Sequence, residues 1–224
     1  MLFRSYTVSP WHLAVTTLGD RLKAVSPQSR NVAVAGKDRA AIMMGGRAVD
    51  QRWYWDGKTW STDLAAAAVP QTVTAVRSAT QQLIAAGDDP LDPPPLCQAR
   101  AKRYDLTPTL SVGDGRFPMA AGDSKAFRNS PRFDGMTLAL AMGLVNELGL
   151  GKGPATDILS VGLSGTDVIG HATGRGGQEM CLQMLSLDRD LGGFLDRLDQ
   201  AKIDYAVVLS ADHGGLDLVE RLRD

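Results

Sequence analysis

Three short apolar runs in the chain are bounded by polar or turn-forming residues. They cover Asn31–Ala35, Asp157–Leu163 and Tyr205–Leu209, and the first of them ends at Gly36. Near-continuous apolar runs of this length are typical of strands that are buried on both faces of a parallel sheet. We therefore predict a buried strand at each of the three positions.

Four other segments repeat their apolar residues at helical spacing. Ser9 is a suitable N-cap and Pro10 suits a first turn, so we expect one helix from there to about Ser26. Another pattern runs up to Gly149, which is typical of the residue that ends a helix. The three predicted helices after the first cover Val73–Ala86, Gly135–Leu148 and Met180–Leu198.

The order of these elements predicts the fold class. Strand, helix and strand follow one another in the last third of the chain, which implies a right-handed crossover and an α/β domain with a mostly parallel sheet flanked by helices. The segment from about residue 50 to 132 interrupts this pattern, and we interpret it as an irregular Trp- and Pro-rich insertion or lid. Within it, Trp53–Trp60 predicts a packed hairpin or lid. The four prolines of Asp88–Pro95 predict an irregular surface connection.

Length, composition and charge exclude several classes of protein. The 224 residues are enough for one large α/β domain, with two small domains as the alternative. A content of 44% hydrophobic and 22% charged residues is ordinary for a folded domain. A net charge of -1 supplies no basic field for nucleic acid, so an anionic ligand must meet local cations or metal ions. No run approaches the ~18 apolar residues of a membrane span, and Met1–Pro10 lacks the pattern of a signal peptide.

The two cysteines, Cys97 and Cys181, do not predict a cysteine-based site. Neither has the spacing of a zinc finger, and two thiols do not make a disulfide framework. We therefore expect Cys97 to be a thiol in a Pro-rich loop. Cys181 falls inside a helical pattern, where we expect a small buried hydrophobic residue.

Two of the three histidines come just after predicted strands, each with an aspartate nearby. Asp167 and His171 are four residues apart, which places them on one face if the chain turns helically there. Asp212 and His213 are adjacent and precede two glycines. Carboxylates and imidazoles are zinc ligands, and ligands of open α/β sheets bind beyond the carboxyl ends of the strands, so these residues predict a metal site. The alternatives are a helix cap with a packed histidine, and an exposed loop with an Asx turn.

Two cations follow the first predicted strand. Lys37 and Arg39 flank Asp38 directly after Gly36. Alternate residues of an extended backbone point the same way, so we expect both side chains to contact one anion. The arginine suits bidentate contact with phosphate oxygens, and the lysine adds a point charge. The alternative is a solvated surface loop.

Several segments resemble the type I phosphodiesterase and alkaline phosphatase superfamily. Among its branches, the pair Lys37 and Arg39 is most similar to the zinc-dependent bacterial alkaline phosphatases that lack a magnesium site. The resemblance runs in order over most of the chain and is weakest over Asp88–Arg132. The segments that carry it are Gly36–Gly46, Trp53–Asp56, Thr156–His171, Leu187–Leu191 and Val207–Gly215.

The resemblance implies a two-zinc phosphate-ester hydrolase. Lys37 and Arg39 would contact the non-bridging oxygens of the phosphate. A threonine would attack phosphorus to form a phosphoenzyme, while the zinc pair neutralises charge on the attacking and leaving oxygens. The implied ligands are Asp167 and His171 for one zinc ion, and Asp212 and His213 for the second.

The chain departs from the family pattern at both ends. The family places its nucleophilic threonine and a further aspartate ligand well before the Lys-x-Arg pair, where this chain has 36 residues and no such motif. The family's last histidine ligand lies far beyond the Asp-His-Gly motif, whereas 11 residues follow His213 and none is histidine. We therefore interpret the chain as a central fragment of an alkaline-phosphatase-like domain. We expect it to be inactive alone and to bind zinc weakly.

Three functions compete at this point. The leading function is hydrolysis of small phosphate monoesters. The resemblance implies a location in the periplasm or outside the cell, and the oligomeric state stays open. A phosphodiesterase or nucleotide pyrophosphatase is second, because a diester offers fewer charged oxygens to Lys37 and Arg39. A non-catalytic fragment is a different class, and the missing ligands favour it for this chain by itself. A nucleotide-binding domain is disfavoured, because Gly149–Gly153 has neither the P-loop nor the dinucleotide spacing.

Overall fold

The computed structural model describes residues 6–65 and 68–223. The chain divides into two compact units. The first contains the described residues through Arg77 together with Ala139–Leu163, and it holds the main sheet. The second contains Ser78–Leu138 and the described residues from Ser164 onward.

The sheet of the first unit is mostly parallel. Its strands lie in the order β3 (Trp60–Ser61), β2 (Gln51–Trp55), β1 (Asn31–Ala35) and β6 (Ile158–Gly162). β1 (Asn31–Ala35) pairs in parallel with β2 (Gln51–Trp55) on one side and with β6 (Ile158–Gly162) on the other. β3 (Trp60–Ser61) pairs antiparallel with β2 at the edge. All residues of β1 are buried, as its apolar run predicts, and the first two predicted strands are confirmed.

β2 and β3 form a hairpin at one edge of the sheet, which confirms the hairpin predicted from the tryptophans. Its turn is held by Asp56, whose carboxylate accepts hydrogen bonds from the backbone N–H groups of Lys58 and Thr59. Trp55 and Trp60 make an edge-to-face contact with ring centroids 5.7 Å apart. Because Trp60 is fully buried, this hairpin contributes to the core.

α2 (Asp38–Gly45) follows β1 and packs on the sheet. Ala35, Ala41 and Tyr54 form a buried cluster between them. The close approach depends on Gly162 at the end of β6, because a Cβ there would lie 3.0 Å from Cε of Met44 and 3.4 Å from the Cβ of Ala40, both in α2.

The single helix predicted from Ser9 to about Ser26 is wrong. Pro10–His12 form one turn of 3-10 helix with Ser9 as its cap, and α1 covers only Leu18–Val25. The reason is a second, stronger start signal inside the segment. Thr17 and Asp20 make a capping box, in which each side chain accepts the backbone N–H of the other, so the helix begins there.

The other three predicted helices are confirmed. They are α3 (Gln71–Ala86), α6 (Arg132–Leu148) and α8 (Gln178–Gln200). α6 ends as predicted at Gly149, which has a φ of 64°. In the part of the chain that the structure describes, none of the helices is long and apolar enough to cross a membrane.

The second unit contains the remaining short elements. Most of Asp88–Pro95 has no regular structure, as its prolines predict, and Asp88 makes an isolated bridge with Met119. β4 and β5 form a separate antiparallel pair. The elements are α4 (Pro95–Gln98), β4 (Tyr104–Thr107), β5 (Leu110–Val112), α5 (Ser124–Arg128), α7 (Gly165–Thr173) and α9 (Val219–Leu222).

Cys97 and Cys181 form a disulfide, so the prediction of a loop thiol and a small buried hydrophobic residue is wrong. The bond joins α4 to α8, which are in contact. The two cysteines are 84 positions apart, and only the packing of these helices brings their Cα atoms to 5.4 Å. Sequence spacing carries no signal of such a pairing.

The strand predicted at Tyr205–Leu209 is also wrong. These residues have no regular structure, and the side chains of Val208 and Leu209 are 92% and 86% exposed. A strand forms only by pairing with another strand. Within residues 6–65 and 68–223, no strand pairs with this segment, so its apolar composition alone does not make it one.

Candidate active site

α7 carries the first predicted pair of metal ligands. It begins three residues after β6 ends, with Asp167 in its first turn and His171 in its last. The carboxylate of Asp167 therefore lies at the helix end that favours a negative charge. The chain does turn helically here, which was the condition for placing both residues on one face, and the turn brings Nε2 of His171 to 3.3 Å from Oδ1 of Asp167.

The loop that contains Asp212 and His213 reaches the same carboxylate. Nε2 of His213 lies 3.4 Å from Oδ1 of Asp167, and the two imidazole rings are 6.5 Å apart. Asp212 is more peripheral, with Oδ2 3.6 Å from Nε2 of His213. The second unit thus brings both predicted pairs together around Asp167.

The ring orientation of His213 favours a cation at this point. Nδ1 lies 2.7 Å from the carbonyl oxygen of Gly214, an acceptor, so Nδ1 carries a proton. In the neutral ring, Nε2 then presents a lone pair toward the Asp167 carboxylate. Two acceptors at that distance repel unless a proton or a metal ion lies between them. A hydrogen bond from the other ring nitrogen to a backbone carbonyl is typical of metal-binding histidines.

The separations also fit zinc chemistry. Zinc–nitrogen and zinc–oxygen bonds of about 2.0–2.1 Å in a tetrahedron place neighbouring ligand atoms about 3.3 Å apart. Nε2 of His171 lies at this distance, 3.3 Å, from Oδ1 of Asp167, and the resemblance assigns both residues to one ion. In the described parts of the chain, however, no three His, Cys, Asp or Glu side chains are arranged to hold one ion. The donors fit as a partial ligand set.

The site is open to solvent. The side chains of His171 and His213 are 76% and 56% exposed, whereas that of Asp167 is only 22% exposed. The carboxylate is therefore held at the base of the site while the imidazoles line its mouth. This exposure is compatible with entry of a small ester.

Asp217 fixes the loop that follows His213 against the end of α7. Its carboxylate accepts the backbone N–H groups of Arg175 and Leu218, each at 2.8 Å, and pairs with Arg221. Burial opposes ionisation of Asp217, but these donors and the guanidinium outweigh it and hold its pKa below the usual value. The second pair of candidate ligands is therefore anchored by an ionised aspartate.

Lys37 and Arg39 lie in the first unit, at the start of α2. Lys37 is the N-cap with an extended backbone, but Arg39 already belongs to the helix. The expectation that the two lie on one extended segment is therefore wrong, because α2 begins at Asp38. The N-terminus of a helix favours an anion, so both cations flank a position of positive potential. Asp38 accepts hydrogen bonds from the Arg39 N–H and the Tyr6 hydroxyl, at 2.7 and 2.6 Å.

Two buried polar residues next to α7 were missed by sequence analysis. Asp134 in α6 and Gln183 in α8 are 1% and 0% exposed and hydrogen bond to each other. Burial raises the pKa of Asp134 to about 6, although N–H donors oppose this. The available signal was an aspartate at the start of an apolar helical pattern, and the predicted helix began one residue too late to include it.

A mostly parallel sheet followed by carboxylate–imidazole pairs and a Lys-x-Arg pair places the chain in the alkaline phosphatase superfamily. More specifically, the chain belongs to the type I phosphodiesterase / nucleotide pyrophosphatase family, whose sequence model matches residues 27–222. The superfamily and the fold class predicted from the sequence are thereby confirmed.

Two of the relatives in sequence are named as alkaline phosphatases. PhoK of Sphingomonas sp is 47% identical over 218 residues, which are 97% of this chain and 39% of that protein. PhoD of Zymomonas mobilis is 41% identical over 222 residues, 98% of this chain and 38% of that protein. The chain thus spans about two fifths of the length of these relatives.

Crystal structures of the alkaline phosphatase PafA share the fold. The wild-type structure matches 83% of this chain and 38% of its own, with a TM-score of 0.68 and 26% identity. A second PafA structure, with a TM-score of 0.68, has a threonine, an asparagine, a lysine and an arginine substituted. That lysine and that arginine are two positions apart, as are Lys37 and Arg39.

Proposed function

We propose that the protein containing this chain hydrolyses small phosphate monoesters at a site with two zinc ions. The observation that carries this proposal is the position of Asp167. Its carboxylate lies within 3.4 Å of two imidazole nitrogens, and two relatives of the chain, PhoK and PhoD, are named alkaline phosphatases.

In this proposal, Asp167 and His171 hold one zinc ion, and Asp212 and His213 hold the other. Bound zinc would neutralise the negative charge of the phosphate oxygens. The hydrogen bond from Nδ1 of His213 to Gly214 keeps Nε2 directed at the site. A phosphoenzyme intermediate is proposed on the family resemblance alone, and no residue of this chain is assigned as its nucleophile.

The metal assignment is tested by zinc content. We expect His171→Ala and His213→Ala in the whole protein each to lower the zinc content after dialysis, because each removes a ligand. The matched control is His12→Ala, since His12 is the third histidine and lies in the 3-10 helix of the other unit. Equal zinc content in all three variants would contradict the assignment.

Lys37 and Arg39 would bind the non-bridging oxygens of the phosphate. Arg39 offers a planar fork for two oxygens, and Lys37 adds a compact charge. The N-terminus of α2 adds the partial positive charge of its backbone N–H groups. These contacts suit the dianion of a monoester.

Hydrolysis of phosphate diesters is the second candidate, because the matching family is described as phosphodiesterases and nucleotide pyrophosphatases. The two activities differ in how much they depend on the cations. A monoester dianion presents more negative charge to Lys37 and Arg39 than a diester, which has one non-bridging position substituted.

The two candidates are separated by kinetics on a matched monoester and diester. We expect Lys37→Ala and Arg39→Ala each to lower monoester kcat/KM by ~10²–10³, by analogy with the loss of one oxyanion donor, and to lower diester turnover much less. Zinc content should not change. Lys58→Ala, which removes an exposed cation in the β2–β3 turn, is the control for net charge. Equal losses on both substrates would assign these residues a structural role instead.

The Cys97–Cys181 disulfide supports a location in the periplasm or outside the cell. Disulfides form and persist in oxidising compartments and are rare in the cytosol. We therefore propose an exported enzyme that acts on small phosphate esters. A net charge of -1 gives no support to a nucleic-acid partner.

A further inference from the structure

The N-terminus of α7 is capped by a residue from another helix. The local N-cap position, Ser164, makes no side-chain cap hydrogen bond. Instead, Oδ1 of Asp134 in α6 accepts the backbone N–H of Gly165 at 2.8 Å, and the N–H of Thr166 also bonds to this carboxylate. The first turn of α7 is therefore attached to α6 through a buried side chain.

A second buried side chain fixes the same turn from α8. Nε2 of Gln183 donates to Oδ2 of Asp134 at 2.9 Å and to Oγ1 of Thr166 at 3.2 Å. Gly165 fits closely against this pair, because a Cβ at that position would lie 2.6 Å from Oδ2 of Asp134. Three helices thus meet in one hydrogen-bonded cluster at the start of α7.

A buried carboxylate is a costly way to join three helices. The free-energy cost of removing the carboxylate from water must be offset by hydrogen-bond donors. Apolar side chains of similar volume would often stabilise the same contact at least as well. What hydrogen bonds add is direction, because they specify the rotation and the axial position of the helix they hold. Asp167 and His171 follow this turn directly, so their positions depend on it.

We propose that Asp134 and Gln183 are positioning residues that orient α7 and thereby place Asp167 and His171 for metal binding. The inference rests on the metal site proposed above. Outer residues that orient metal ligands typically change metal affinity by about 10–100-fold when mutated, and we expect an effect of that size for the cluster.

The test measures zinc affinity of the whole protein by competition with a chromophoric chelator. Asp134→Ala should weaken affinity by about 10–100-fold. Asp134→Asn should restore it to within about threefold, because Asn still accepts the Gly165 N–H. Its amide N–H₂ faces Gln183, whose Oε1 has no partner and becomes available when that amide flips.

Thr137→Val is the matched control for loss of stability. Thr137 is fully buried in α6, and its hydroxyl donates to the carbonyl oxygen of Phe133 within the same helix. The Thr137→Val variant should have a lower melting temperature than the wild-type protein and the same zinc affinity. If Asp134→Ala does not fold, Gly165→Ala takes its place, because its Cβ displaces the same carboxylate.

Hydrogen exchange of the amides at Gly165 and Thr166 is a second readout that needs no zinc. Asp134→Ala should speed their exchange, whereas Thr137→Val should not. Unchanged zinc affinity in Asp134→Ala, or equal losses in the variant and the control, would overturn the positioning role. If the wild-type protein binds no zinc, the metal proposal fails instead, and the exchange rates alone decide whether Asp134 holds α7.

Discussion

The Cys97–Cys181 disulfide should stabilise the second unit strongly. It closes a loop between residues 84 positions apart, for which the chain-entropy model gives about 4–5 kcal/mol, and native disulfides typically contribute about 2–5 kcal/mol. The bond also joins α4 to α8, which packs on the helix that carries Asp167 and His171. Reduction should therefore lower the unfolding midpoint.

The assay is urea unfolding followed by far-UV circular dichroism, with and without reductant. We expect the reduced protein to unfold at a lower urea concentration, by an amount that corresponds to about 2–5 kcal/mol. The control is the double variant Cys97→Ala with Cys181→Ala, which should unfold like the reduced protein and should not respond to reductant.

Two results would contradict a stabilising role of the disulfide. Titration of the denatured, unreduced protein should find no free thiol, and two free thiols per chain would show that the bond does not form. Identical unfolding midpoints with and without reductant would show that the bond forms but does not constrain the unfolded chain, contrary to the entropy argument.

Two further predictions concern buried charges. Arg52 and Asp63 form an ion pair at 2.5 Å with side chains only 1% and 5% exposed, so Arg52→Ala should cost about 3–5 kcal/mol of unfolding free energy by leaving Asp63 unpaired. Arg103→Ala, in a pair with side chains 62% and 70% exposed, should lower the unfolding free energy far less in the same urea assay, and equal losses in the two variants would contradict this prediction. Burial raises the pKa of Asp134 from 3.8 to about 6, so ionisation of this carboxyl destabilises the fold. Its contribution to the unfolding free energy is fully present below pH 3.8 and falls by about 3 kcal/mol as the pH rises through about 6. The stability of Asp134→Asn relative to wild type should therefore increase across that range, and a constant difference in denaturant midpoints from pH 3.5 to 7 would argue that burial does not shift this group.

The regular elements with strong periodicity were predictable from the sequence. α8 and α6 follow repeated apolar spacing, and β1 follows an apolar run that ends at a glycine. These signals are local, because burial of one helix face or of both strand faces leaves its mark on neighbouring residues. For Asp167 and His171 the sequence supplied only a spacing of four, and the structure supplied the helix that places both on one face.

Local signals failed where two of them competed or where a partner was needed. The single helix predicted from Ser9 is wrong because Thr17 and Asp20 start a helix further along the chain. Their capping box fixes the first turn more firmly than a single serine does. Tyr205–Leu209 has the composition of a buried strand but pairs with no strand in the described chain, and its side chains stay exposed. Arg39 lies in a helix because α2 begins immediately after Lys37.

The type of most elements and the identity of the residues able to do chemistry could be read from the sequence. Which of these residues meet depends on the tertiary structure: Asp167 lies between two imidazoles from segments more than 40 residues apart, and Cys97 bonds to Cys181. The buried contact of Asp134 with the start of α7 is of the same kind. Helix and strand type depends on the pattern of nearby residues, whereas contacts between distant residues depend on how whole elements pack, which no local pattern records.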